Sequence, residues 1–139
     1  MSSSRGATER MRILQPANWP RPRGYSNGIV ARGEMVFLSG IIGWDETERV
    51  AQGFVAQFRQ ALENILTLLA EAGSGPEDVV RMTWFVTSRE NYLKHGRELG
   101  LIYRELFGRS YPAMAVVQVV ALVEAEAEIE IEVTAVKPD

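Results

Sequence analysis

Two neighbouring stretches decide the fold: AMAVVQVVAL at residues 113–122 and AEIEIEVTAV at residues 127–136. In the second stretch, apolar residues alternate with glutamates, which is the period of a strand with one buried face. In the first stretch, both alternating rows are apolar, so we expect that strand to be buried on both sides. Because a small domain cannot cover both faces of its own sheet, these strands predict that copies of the chain associate.

Two helices are predicted before these strands, because apolar residues recur there at three- and four-residue spacing. The first should run from about residue 52 to residue 72 and should stop at Gly73. The second should begin at a capping box formed by Thr87 and Glu90, and it should end at Gly108.

Three further strands complete the predicted domain. Residues 25–32 and 35–40 should pair as a hairpin through the tight turn Gly33-Glu34. Residues 79–86 are apolar on both faces, which favours a central strand. The order of two strands, a helix, a strand, a helix and two strands indicates an α+β domain, with two helices packed on one face of a mixed sheet.

Composition limits the class of protein. A hydrophobic fraction of 46% and a charged fraction of 24% in 139 residues are typical of one globular domain. The sequence has no cysteine, which excludes disulfides and thiolate chemistry. No apolar run resembles a secretion signal or a membrane span. We therefore expect a cytoplasmic protein without a membrane partner, with residues 1–11 as a flexible tail and residues 12–139 as the domain.

Charge is unevenly distributed along the chain. The net charge is −3, yet residues 1–23 hold five arginines and one glutamate, which leaves −7 for the remainder. Such an arm could contact RNA, but it lacks interleaved aromatic residues, and the acidic body would repel phosphate. A solubilising tail is the preferred interpretation, and nucleic acid is not an expected partner.

The sequence lacks most familiar catalytic motifs. Ser39 has no flanking glycine of a nucleophile elbow, which favours a structural or ligand-contacting hydroxyl. The single histidine, His95, lies beside the helical stripe and predicts a boundary residue. Glu128, Glu130 and Glu132 share one strand face, whereas hard cations usually draw oxygens from several loops. No metal or cofactor is therefore expected, and Glu130, central in its strand, is the best candidate for a functional acid.

Several short segments together carry a family resemblance. They are PRGYS at 22–26, VFLSGIIG at 36–43, QFRQALENI at 57–65, YRELF at 103–107, YPA at 111–113 and IEIEVTAV at 129–136. Each segment alone is weakly specific, but the ordered set, from about residue 20 to residue 136, resembles the RidA/YjgF/L-PSP family.

The resemblance implies a chorismate-mutase-like α+β fold that assembles as a homotrimer and holds a small molecule in clefts between subunits. Active members hydrolyse reactive enamines and imines, such as 2-aminoacrylate, to the keto acid and ammonia. In them an arginine on the penultimate strand holds the substrate carboxylate, and a tyrosine lines the cleft. A nearby backbone carbonyl and a glutamate on the last strand position the attacking water.

By position, the tyrosine corresponds to Tyr25, the glutamate to Glu130 and the carbonyl to that of Val116. Met114 occupies the position of the arginine, and its thioether cannot make the two charge-assisted hydrogen bonds of a guanidinium. At about 1.5–3 kcal/mol for each bond, the loss weakens transition-state binding on the order of a hundredfold or more. We therefore do not expect efficient hydrolysis of 2-aminoacrylate.

Two other positions are less polar than the family pattern. Ile41 stands where glutamine is frequent, and Gly100 stands where deaminating members have asparagine. Met114, Ile41 and Trp44 are therefore expected to form an apolar floor. The expected substrate-contacting residues are Tyr25, Ser39, Ile41, Trp44, Gly100, Met114 and, as a candidate substitute anchor for a carboxylate, Arg23.

Two classes of function follow from the resemblance. The first is a hydrolase for a larger or less acidic enamine or imine, because water activation by the Val116 carbonyl and Glu130 does not require the missing arginine. The second is a non-catalytic, small-molecule-binding or chaperone-like trimer that uses the same cleft. RNA cleavage is disfavoured, because the sequence offers no general base beside a basic groove.

Overall fold

A five-stranded mixed sheet carries the helices on one of its faces in the computed structural model, which describes residues 10–139. The strands are β1 (Met11–Leu14), β2 (Gly28–Ala31), β3 (Glu34–Phe37), β4 (Ile41–Ile42), β5 (Val79–Val86), β6 (Ala113–Gln118) and β7 (Ile129–Lys137). The helices are α1 (Phe54–Glu71), α2 (Arg89–Lys94) and α3 (Gly96–Phe107), with a 3-10 turn at Pro76–Asp78.

The centre of the sheet is formed by β7 and β5. The strand order is β3-β7-β5-β6, with β4 also beside β7, and β5 runs antiparallel to β7 and parallel to β6. Alternate apolar side chains of the two central strands are buried beneath the helices: Met82, Trp84, Val86, Ile129, Ile131 and Val133. The predicted α+β fold class, with helices on one face of a mixed sheet, is confirmed.

Helix α1 packs on this buried face through the apolar stripe that predicted it. It lies within the predicted range, and Gly73 follows it with φ +73°, a left-handed conformation that glycine adopts without strain. The fully buried side chains of α1 are Phe58, Ala61, Leu62, Ile65 and Leu69. Neither α1 nor any other helix in residues 10–139 combines the length and apolarity needed to cross a membrane.

The predicted second helix is two helices, α2 and α3, separated at His95, whose φ of −101° and ψ of 12° depart from helical values. The predicted capping box of Thr87 and Glu90 is wrong. Ser88 caps α2 instead, and its hydroxyl accepts a hydrogen bond from the Asn91 N–H at 3.0 Å. The Thr87 N–H donates to a carbonyl just before β7, so Thr87 still belongs to the sheet.

The predicted hairpin between residues 25–32 and 35–40 is also wrong. Strand β2 pairs with β1 in a separate two-stranded sheet, and β3 pairs with β7. At the expected turn, Gly33 has φ +145° and lies against the carbonyl of Lys137, where a Cβ atom would collide. After Gly33 the chain therefore runs alongside β7 instead of folding back on β2. The close approach of Gly33 to Lys137 that permits this is not visible in the local sequence.

A partly buried ion pair holds β1 to the domain. Arg10 donates a hydrogen bond to the Asp78 carboxylate at 3.0 Å and another to the Val136 carbonyl. Asp78 also accepts from the Ser74 hydroxyl at 2.9 Å. Arg10 and Met11 are therefore part of the fold, although the sequence placed both in the tail. The rest of the predicted tail, residues 1–9, lies outside the described residues.

The sheet face opposite the helices is uncovered within residues 10–139. Strand β6 ends at Gln118 rather than at the predicted residue 122, and the two rows of its side chains face opposite ways. Met114 and Val116 face the helices, whereas Val117 faces away and is 41% exposed. Phe37 of β3 is 69% exposed on the same uncovered side. Apolar side chains therefore meet solvent on this face of a single chain.

Candidate functional site

A pocket of about 490 Å³ lies beside α3 and β6, on the helix-covered side of the sheet. Its volume is in the range of sites that bind small molecules. The lining residues come from the loop before β2, from β5, from the two helices after it, from the connection between α3 and β6, and from β6. They are Arg23, Gly24, Tyr25, Trp84, Tyr92, Gly96, Leu99, Gly100, Tyr103, Arg104, Tyr111, Met114 and Val116.

Five of the residues expected from the sequence lie together in this pocket: Arg23, Tyr25, Gly100, Met114 and Val116. Met114 and Val116 are on one face of β6, in register with Met82 and Trp84 of β5. Tyr25 is 43% exposed and also borders a second pocket of about 370 Å³. The loop before β2 and the strand β6 thus bring together residues distant in sequence.

Glu130 lies outside this pocket. The alternation of β7 places it on the face opposite the helices, where it is half-buried and in register with Ile42. Its carboxylate lies against Gly40 so closely that a Cβ atom at residue 40 would overlap it. Because Ser39 directly precedes Gly40, the exposed Ser39 and Glu130 belong to a second group of residues.

Ile41 and Trp44 also lie outside the pocket that contains Met114. Ile41 faces the helices through its pairing with Ile131 and packs on the main core. Trp44 packs on a small separate cluster that includes Val50. Within one chain, Met114, Ile41 and Trp44 therefore do not share one apolar floor.

Within one chain, the expected site residues thus fall into two separate groups, because Met114 and Glu130 are on opposite faces of the same sheet. Among residues 10–139, those that line the pocket include no carboxylate and no imidazole. Its ionisable side chains are arginines and tyrosines, which do not act as bases near neutral pH in their usual charge states. A pocket with this lining can bind a small molecule but offers no general base, whereas the candidate functional acid, Glu130, lies in the second group with Ser39.

Four aromatic residues of the pocket, besides the expected Tyr25, were not expected from the sequence. Tyr103 and Tyr111 stack with ring centroids 5.7 Å apart, and the Tyr103 hydroxyl donates to the Ser110 carbonyl at 2.5 Å. Burial raises the pKa of Tyr103, so its hydroxyl remains neutral. The unexpected aromatic lining residues are Trp84, Tyr92, Tyr103 and Tyr111.

Arg104 is another lining residue that the sequence analysis missed. It follows Gly96 and Gly100 at four-residue intervals, which places all three on one row of α3. This spacing was the available signal. Among the side chains of residues 10–139, no group of three histidines or carboxylates is placed to hold a metal ion.

The model of the family described as Endoribonuclease L-PSP matches residues 18–137. The chain belongs to the RidA/YjgF/L-PSP family. The match spans both groups of expected site residues, from Tyr25 to Glu130. The family resemblance inferred from the ordered segments is confirmed.

Other members of the RidA/YjgF/L-PSP family align along most of the chain. A RutC family protein of Pyrococcus horikoshii is 34% identical over 109 residues, which are 77% of this chain and 83% of that protein. A 2-iminobutanoate/2-iminopropanoate deaminase of Capra hircus is 30% identical over 113 residues, 80% of each chain. The crystal structure of YyfB, a Rid family protein of Yersinia pestis, is 29% identical with a TM-score of 0.79, over 92% of this chain and 99% of that one.

Proposed function

We propose that this chain hydrolyses small enamines or imines to a carbonyl compound and ammonia, in a site assembled between copies of the chain. Membership of the family and the similarity to an iminobutanoate/iminopropanoate deaminase support this reaction class. The observation that carries the proposal is the half-buried Glu130 carboxylate against Gly40 on the uncovered sheet face. In this proposal, a second copy of the chain places its own pocket beside the Glu130 carboxylate. We also propose that the assembled protein is cytoplasmic.

The proposed reaction uses the Val116 carbonyl and Glu130 to orient one water molecule. The substrate reacts as its iminium ion, which an imine reaches by taking a proton from solvent on nitrogen and an enamine by taking one on carbon. The water oxygen attacks the iminium carbon while Glu130 takes one proton from the water, and the C=N electron pair moves to nitrogen to give a neutral carbinolamine. Glu130 returns that proton to nitrogen, the C–N bond breaks to release ammonia, and the hydroxyl proton passes to Glu130 and on to solvent as the carbonyl forms.

Met114 shapes the substrate range of this proposed hydrolase. In this pocket the carboxylate of 2-aminoacrylate would contact the thioether of Met114, at the position where the family pattern has an arginine. Without a bidentate partner there, a small acidic substrate is poorly held in the transition state. Larger imines, which gain binding from apolar contact with the pocket, are therefore the better substrates.

Glu130→Gln tests the assignment of the acid. Glutamine retains the size of the side chain but cannot accept a proton, so kcat for any accepted imine should fall by about a hundredfold or more. The assay measures keto-acid and ammonia release from imines generated in situ. Glu128→Gln, directly before the same strand, is the matched control and should be nearly silent. Equal turnover by wild type and Glu130→Gln would refute the catalytic role of Glu130.

A second candidate function is a non-catalytic trimer that binds or protects through the same cleft. One observation favours it: the pocket is formed within a single chain, and the lining that residues 10–139 provide has no carboxylate or imidazole. If wild type and Met114→Arg both bind small acids but release no ammonia from any imine, while remaining trimeric, this second function replaces the hydrolase.

A further inference from the structure

One wall of the pocket beside α3 is made of backbone rather than side chains. Gly96 and Gly100 lie one helical turn apart on the row of α3 that lines the pocket. A Cβ atom built at either position meets no heavy atom within 4 Å other than the neighbouring backbone of its own helix. The space beside α3 is therefore open over a full turn, and a substrate as small as 2-aminoacrylate would fill a minor part of the 490 Å³.

The floor and sides of the same space are aromatic. Tyr92 meets Trp84 edge-on, with ring centroids 6.3 Å apart and an interplanar angle of 83°. Tyr103 and Tyr111 stack nearly parallel on each other. Aromatic faces and edges bind a further ring in offset or edge-to-face geometry, so this lining suits a flat aromatic group.

The buried Trp84 indole N–H is an independent observation that points to a ligand in this pocket. Trp84 is 6% exposed, and within residues 10–139 its Nε1 has no hydrogen-bond acceptor. Buried donors are nearly always paired in folded proteins, so each exception requires an explanation. A ligand that enters beside Trp84 is such an explanation, because the ring lines the open space.

The charges around the pocket have one sign. Arg23 and Arg104 are exposed lining residues, and neither forms an ion pair with another residue in 10–139. Arg104 continues the row of Gly96 and Gly100, so it stands one turn beyond the open wall. In the part of the chain that the structure describes, no carboxylate lines the pocket. The complementary ligand is therefore an anion with a large apolar part.

We propose that the pocket takes aromatic 2-imino or 2-enamino acids, with the ring beside Trp84 and Gly100 and the carboxylate at Arg23 and Arg104. This substrate class rests on the hydrolase proposed above, whereas the binding preference itself does not require turnover. The arginines at the edge of the pocket replace an anchor at residue 114, and the open wall of α3 provides the room for the ring.

Calorimetric titration of the full chain with phenylpyruvate and pyruvate tests the preference, because these stable keto acids correspond to the expected products. Phenylpyruvate should bind about tenfold tighter or more, since it buries a ring that pyruvate lacks. Gly100→Leu should remove most of that advantage, because the leucine side chain would occupy the space that the ring is proposed to fill. Gly100→Ala, which adds one methyl group, covers the case in which leucine disturbs folding. Equal binding of the two acids by wild type, or an advantage that survives Gly100→Leu, would overturn the inference.

The double variant R23A/R104A tests the anion site. It should weaken both keto acids about tenfold or more. Arg97→Ala, which removes an exposed charge from the same helix away from the pocket, should bind both acids as wild type does. Wild-type affinities in the double variant would overturn the assignment of the carboxylate.

The outcome for the ligand class can be separated from the outcome for catalysis. Tight phenylpyruvate binding of the expected pattern, without hydrolysis of any imine, would support the ligand class and refute the hydrolase. Hydrolysis of 2-aminoacrylate with equal binding of pyruvate and phenylpyruvate would support the hydrolase and overturn the ligand class.

Discussion

Met114 is the residue whose change should alter substrate choice most directly. Met114→Arg introduces a guanidinium into a pocket where Gly100 leaves open space, and we expect 2-aminoacrylate hydrolysis to rise about tenfold or more. Keto-acid release by wild type, Met114→Arg and Arg23→Ala measures this effect. Strong wild-type activity toward 2-aminoacrylate that Met114→Arg does not raise would contradict the expectation, because the arginines at the edge of the pocket would then already hold so small an acid in the transition state.

Gly40 controls the position of the Glu130 carboxylate. Gly40→Ala adds a methyl group where that carboxylate now lies, and the flexible end of Glu130 has to move. We expect hydrolase activity to fall about tenfold to a hundredfold, since small misplacements of a catalytic group are costly. The fold should persist, which a urea denaturation curve checks. The double variant with Glu130→Gln should lose no more activity than Glu130→Gln alone; additive losses would show that Gly40 acts through another group.

The residues of the site could be predicted from the sequence only in part. The resemblance pointed to Tyr25, Met114 and Val116, and these three line one pocket. Trp84 was missed, because a tryptophan in an apolar strand has the same pattern whether it faces a core or a cavity. The division of the site was also not visible, although the alternation of β7 already set Glu130 apart from the row that faces the helices.

At the scale of elements, the long periodic segments were predicted well and the pairings poorly. Helix α1 and strand β5 lie where the periodicity placed them. The hairpin prediction failed because Gly33-Glu34 carries a local turn signal, whereas the partners of β2 and β3 are set by distant residues. The division between α2 and α3 at His95 was likewise hidden, since the apolar spacing continues across it.

Gly43 lies in the connection between β4 and α1. Among the glycines of this connection, it is the one at which we expect a substitution to destabilise the fold most. A Cβ atom at Gly43 would overlap the backbone of Gln57, which cannot move as a side-chain end does. We expect Gly43→Ala to lower the free energy of unfolding by about 2 kcal/mol, measured by urea denaturation. Gly96→Ala is the matched control, because open space surrounds Gly96, and it should stabilise the chain slightly. Similar stability of the two variants would refute this account of the junction.

At the scale of the molecule, the uncovered sheet face predicts association. Val117 and Phe37 expose apolar surface there, and we expect a trimer in light scattering at micromolar concentration. Val117→Glu should yield a folded, smaller species, because a carboxylate at a buried contact between copies is unfavourable. Leu93→Glu, at a position 62% exposed on α2, should leave the trimer intact. A folded wild-type monomer at this concentration would remove the proposed shared site.

The arrangement of strands around β7 also sets the order in which the chain can fold as it is synthesised. Strands β3, β4 and β5 all pair with β7, which is made after every one of them. Until residues 129–137 have left the ribosome, these earlier strands lack their central neighbour. The N–H and C=O groups of their edges are then unpaired, and their apolar side chains are not yet covered. The hydrogen bonds within α1 and between β1 and β2 need no later part of the chain, whereas the main sheet closes only when β7 has been made. Protection of the emerging strands by a ribosome-associated chaperone would therefore matter most in that interval.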